Sequence, residues 1–93
     1  MKQREVNKIL EQHKLWLESE GKEGKRGDLS GASLKNLNFR GANLRYFKFR
    51  YADLEGDYFN GADLEGADLR DINSCRTDFT DAVIIDGYRL VKE

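Results

Sequence analysis

Proline is absent from the 93 residues, and cysteine, histidine, tryptophan and methionine occur once each. The lone Cys75 excludes an internal disulfide framework. With only His13 beside it, the chain has too few soft ligands for a zinc site. A formal net charge of −1 gives no case for direct nucleic-acid binding or for an acidic tail. No apolar run is long enough to cross a membrane. The opening M-K-Q-R-E-V-N-K carries no stretch like the core of a secretory signal. A cytoplasmic chain with no membrane partner is the expectation.

Catalytic patterns are also missing. No Ser/His/Asp arrangement is legible, and no G-K-S or G-K-T follows the glycines to make a phosphate loop. The many aspartates lack the spacing of a calcium loop, and their even rhythm fits turn hydrogen bonding instead. Glu55 and Glu65 fall on different faces, with no sign of a cleft between them. Cys75 has no accompanying base. The sequence therefore predicts no enzyme, no catalytic residue, no metal ligand and no cofactor.

What is present is a period of five between Gly27 and Asp86. Large apolar residues recur at Leu29, Leu34, Phe39, Leu44, Phe49, Leu54, Phe59, Leu64, Leu69, Phe79 and Ile84, with Ser74 interrupting the row. Small residues stand two places earlier at Ala32, Ala42, Ala52, Ala62, Ala67 and Ala82. Neither a strand period of two nor a helical 3.6 produces this pattern, and a solenoid does. Asp or Asn before the apolar centre and Gly or Asp two places after it mark a corner every five residues. Four corners close a square coil, giving three coils at 27–46, 47–66 and 67–86.

The stretches A-N-L-R-Y at 42–46, A-D-L-E-G at 52–56 and 62–66, and A-D-L-R-D at 67–71 resemble the pentapeptide-repeat family. The resemblance covers about two thirds of the chain. It implies a right-handed quadrilateral β-helix, so the expected fold class is an all-β solenoid of about three coils with an N-terminal α-helical cap. Residues 1–26 form the expected capping helix and turn, 27–86 the β-helix, and 87–93 a C-terminal tail.

Stacking at twenty residues predicts columns through the core: Phe39–Phe59–Phe79, Leu29–Phe49–Leu69, Leu44–Leu64–Ile84 and Leu34–Leu54–Ser74. Ile72 is expected to fill the volume that Ser74 lacks. Leu37 and Phe47 are large, and Asp57 charged, where the repeat prefers small. Asp57 is expected at a local bulge near the surface, since a buried carboxylate needs partners. Val6, Ile9, Leu10, His13, Trp16 and Leu17 follow helical spacing within residues 3–20 and predict a helix over the open end of coil one. A partner-binding helix is the alternative.

Outside the core, Lys35 is expected to pair with Glu55, and Arg45 with Glu65, while Arg50 stacks toward the like charge of Arg70. Arg40, Arg45, Lys48 and Arg50, with Tyr46, Tyr51 and Tyr58, form a candidate patch for binding another protein. Val83, Ile85, Tyr88 and Leu90 make a candidate two-fold contact for a homodimer, and a short tail folding back over the last coil is the equal alternative. The expected function is a non-enzymatic protein-binding module presenting a rigid β-helical surface. The resemblance also implies an alternative, since some family members mimic DNA in shape and charge and inhibit DNA gyrase. A blocker of a topoisomerase or of a phage-defence nuclease, in a bacterial or phage setting, fits that alternative. A structural spacer is the third reading.

Overall fold

The structure is a computed structural model and describes residues 1–84. Helix α1 spans Gln3–Glu18. The Lys2 backbone N–H donates to Glu5 Oε1 at 2.9 Å, which satisfies a free donor at the N-terminus and places a carboxylate where the helix dipole favours it. The helix stops two residues short of the expected end, and Glu20 then turns the chain with φ 57°.

From Asp28 onward every fifth residue pairs with the one twenty places later. Parallel bridges join Asp28 to Lys48, Ser33 to Asp53, Asn38 to Tyr58, Asn43 to Asp63, Lys48 to Asp68, Asp53 to Asn73, Tyr58 to Asp78, and Asp63 to Val83. At each bridge two N–H groups point in opposite directions. Leu29 N–H donates down to Lys48 O at 2.8 Å, and Lys48 N–H donates up to Gly27 O at 3.0 Å. The twenty-residue register expected from the repeat is therefore the observed one.

The expected fold class needs correction. Among the described residues there is no β-strand and no sheet, and α1 is the one regular element. Every bridge is isolated, one residue pair long. The reason is the period itself. Within five residues only the segment around the Asp/Asn position is extended, and the fifth residue already turns with φ near +60 to +70°. Gly31, Asn36, Gly41, Tyr46 and Tyr51 do so in succession. No wall extends its bridge to a second residue pair, the one further bond, as from Gly31 N–H to Arg50 O at 2.8 Å, falling at the corner, so the all-β solenoid, or β-helix, does not describe this chain. It is a stack of four-cornered coils built from turns and single bridges. We number its walls by their inward residues: wall one carries Leu29, Phe49 and Leu69; wall two Leu34 and Leu54; wall three Phe39, Phe59 and Phe79; wall four Leu44, Leu64 and Ile84.

The turns are held by the repeating Asp or Asn. Asp28 Oδ1 accepts the Ser30 N–H at 3.0 Å, Asn38 Oδ1 that of Arg40 at 2.9 Å, and Asp53 Oδ1 that of Glu55 at 3.1 Å. This is the job the aspartate rhythm predicts. Inside, the Phe39, Phe59 and Phe79 rings stack with centroids 4.7 and 5.2 Å apart. Ile72 packs against the core as its position suggests. Phe47 fits an inward position because Gly27 lies above it, where an added Cβ would overlap the ring.

Asp57 departs from expectation. It is fully buried rather than at a surface bulge. Its Oδ1 accepts the Leu37 N–H from the coil above at 2.7 Å, a donor that elsewhere in the repeat bonds within its own turn, as Ala42 N–H does to Phe39 O. Its other oxygen, Oδ2, is buried without a partner. Burial pushes this carboxyl up to about 7, against the Leu37 hydrogen bond, which pulls it down.

Candidate functional site

The structure divides the expected Arg/Tyr patch among three walls. Arg40 and Tyr58 share wall three, with the guanidinium 4.0 Å from the ring centroid. Arg45 and Tyr46 end wall four in coil one, 5.8 Å apart by the same measure. Lys48, Arg50 and Tyr51 follow around the corner on wall one, across the coil from wall three. Arg50 lies 5.0 Å from the Tyr51 ring and donates through Nη2 to its hydroxyl at 3.3 Å. Wall four and wall one thus form one continuous strip, and the Arg40–Tyr58 pair stands apart from it.

All three tyrosines are exposed, Tyr51 most of all at 60%. Tyr46 and Tyr51 also occupy corners at φ 63°. Bulky side chains rarely take that backbone, which favours Gly, Asn or Asp. Two neighbouring corners therefore hold tyrosine at a backbone cost. Tyr46 recovers part of it, because its ring lies where a Cβ on Gly66 would sit, and Arg26 Nε donates to its carbonyl at 2.5 Å. Among the described residues the Tyr51 ring is held by its pairing with Arg50.

The charges are mostly neutralised locally. Lys35 lies 3.7 Å from Glu55 and Arg45 3.5 Å from Glu65, as the stacking predicts. The expected clash of Arg50 with Arg70 is relieved, since Arg50 reaches Asp71 at 3.9 Å and Arg70 reaches Asp68 at 2.7 Å. The Arg70 side-chain hydrogen bond is the main cause holding the Asp68 carboxyl below its ordinary value. Asp78 is held down to about 2, chiefly by the Thr80 hydroxyl. Exposed pairs of this kind add little stability. They do interrupt any acidic stripe along walls one, two and four.

The expected function is corrected on the same grounds. A rigid β-helical surface is not present, because the walls are turns joined by single bridges. The DNA-mimicking inhibitor and the spacer drew on the same rod, and both fall with it. Val83, of the expected two-fold contact, is exposed at 43%. Ile85, Tyr88 and Leu90 lie outside the described residues.

Among the described residues no group of three His, Cys, Asp or Glu side chains converges to hold a metal ion. No helix among them is long and apolar enough to cross a membrane. A shallow groove between α1 and coil one is lined by Leu10, Glu11, Lys14, Ala42 and Asn43.

Sequence reasoning placed α1 over coil one but missed how it is attached. The Gln3 side chain behaves as a peptide group: its Nε2 donates to Asn38 O at 2.9 Å and its Oε1 accepts Asn38 N–H at 2.8 Å. It continues the bridging pattern upward by one rung. His13 makes the second attachment, accepting the Gly27 N–H at 2.8 Å through Nδ1 and meeting Arg45 O at 2.9 Å through Nε2.

Repeating coils in twenty-residue register, with Asp or Asn turns, define a repeat protein whose surface is a set of short walls. The sequence profile of the pentapeptide repeats matches residues 28–56 and 58–86, and the chain belongs to this family. Among solved structures it is similar to a pentapeptide repeat protein, Rfr23, from the cyanobacterium Cyanothece 51142. The two share 30% identity and a TM-score of 0.62 over 63% of this chain. That match spans only 40% of the cyanobacterial protein. A second similar structure is alr5209, a pentapeptide repeat protein from Nostoc PCC 7120, at 20% identity and a TM-score of 0.34, covering 76% of this chain and 70% of that one. Comparison with curated proteins returned no match.

Proposed function

We propose that this chain binds another protein through the strip Arg45–Tyr46–Lys48–Arg50–Tyr51, without catalysis and in the cytoplasm. The observation that carries the reading is Tyr51. It is the most exposed of the described tyrosines, sits at φ 63°, and has an arginine stacked beside it. A backbone conformation that costs roughly 1–2 kcal/mol for an L side chain is not explained by folding when glycine serves the equivalent corners at Gly31 and Gly41. Arginine and tyrosine together are the residues that dominate protein interfaces, and a stacked guanidinium keeps its N–H edge available to a carboxylate.

Tyr51→Gly separates folding from binding. The variant relieves the corner and removes the ring, so its melting temperature is expected to hold or rise. Affinity capture of the partner is expected to drop at least tenfold. Lys35→Ala on wall two serves as the control and leaves capture intact. Undiminished capture by both Tyr51→Gly and Arg50→Ala overturns the assignment.

A further inference from the structure

We propose that His13 is an acid-operated latch that holds the C-terminal half of α1 onto coil one and lets go when its imidazole takes up a proton. The geometry fixes the protonation state. Arg45 O is a carbonyl and only accepts, so Nε2 carries the proton and donates to it. The Gly27 N–H only donates, so Nδ1 must present its lone pair. The ring is thus the neutral Nε2–H tautomer, and each of its nitrogens is used. An imidazolium carries N–H on both sides. It would turn Nδ1–H against the Gly27 N–H and leave both groups buried without an acceptor, since His13 is fully buried.

The surroundings offer no compensation for the added charge. From α1 the neighbour is Trp16, stacked with centroids 5.7 Å apart. From coil two it is Phe47, edge-on at 4.8 Å. From the connecting segment it is Arg26, a cation whose guanidinium lies over the Trp16 ring. Among the described residues these are the groups that face the imidazole, and no carboxylate is among them. Burial, the largest cause, and Arg26 both hold His13 below its ordinary value, against the pull of the Arg45 carbonyl. A folded-state value below that of the open chain means the latch is closed above about pH 6.5 and is progressively weakened as pH falls beneath it. The Gln3 pairing with Asn38, which does not titrate, and the bond from the Met1 ammonium to Ser33 O at 3.4 Å keep the N-terminal half in place. Release is therefore local, uncovering Phe47 and the Gly27 edge of coil one.

The test is amide hydrogen exchange by NMR on the whole chain between pH 7.5 and 5, corrected for intrinsic rates. Protection of the Gly27 N–H is expected to fall at least tenfold on acidification, while the Tyr58 and Asp63 N–H groups between coils one and two keep theirs. In His13→Gln the side-chain amide can accept from Gly27 and donate to Arg45 without titrating, so Gly27 protection is expected to stay flat. Wild-type protection that stays flat, or a His13→Gln variant that loses it as the wild type does, overturns the latch. Imidazole 15N shifts decide the matter without any variant: Nδ1 must be the unprotonated nitrogen at pH 7.5, and a proton found there refutes the proposal.

Discussion

Replacing Asp57 by Asn exposes what a buried acid does to this stack. The carboxyl is fully buried, one oxygen bonded to Leu37 N–H at 2.7 Å and the other without a partner. Its value rises from 3.8 to about 7 on folding, burial being the largest cause. The folded state therefore holds a proton that the unfolded chain releases. Stability from this group is fully present below about pH 4, declines as pH rises, and is lost once pH passes about 7. That rise from 3.8 to about 7 corresponds to about 4 kcal/mol across the window. Asn keeps an acceptor oxygen for Leu37 and cannot ionise. The expected result is near-equal stability for the two proteins at pH 4, an advantage for Asp57→Asn of about 1.5 kcal/mol by pH 5, and one on the order of 4 kcal/mol at pH 8. Urea unfolding across pH 4–8 measures it, and taking the difference between the proteins cancels the opposing contribution of His13, which shares no partner with Asp57. Parallel pH profiles would refute the reasoning, because they would mean the carboxylate is solvated in the folded state.

Phe59→Ala empties the middle of the ring stack and is expected to cost about 3–5 kcal/mol in chemical denaturation, where a loss under 1 kcal/mol would contradict the stacking. Gly27→Ala drives a methyl into the Phe47 ring and is expected to cost about 1–3 kcal/mol, read as a lower melting temperature. Gln3→Ala removes the side chain that pairs with both Asn38 groups and is expected to increase exchange of the Asn38 N–H severalfold without unfolding coil two.

The register was legible because it rests on covalent spacing: residues twenty apart meet once four corners of five close a coil, and Phe39, Phe59 and Phe79 stack accordingly. The strand content was not, because the step from coil to β-helix followed the family resemblance rather than the number of residues each wall leaves extended. The division of the patch among walls was not legible for a related reason. Arg40, Arg45 and Arg50 are close in sequence, but each five-residue step turns a corner, so neighbours in the chain occupy different walls. The spacing of Arg40 and Tyr58, nearly one full coil, was the available signal for their contact. Asp57 and Gln3 escaped because each acts through a backbone N–H of another segment, and residue type alone does not announce such a partner.

The twenty-residue register carries every placement above, including the strip that displays Tyr51. Through-hydrogen-bond NMR couplings test it without assuming an overall shape. Couplings are expected from Leu34 N to the Asp53 carbonyl carbon, from Phe39 N to that of Tyr58, and from Tyr58 N back to that of Leu37. Partners at any other spacing would contradict a stack of coils in twenty-residue register.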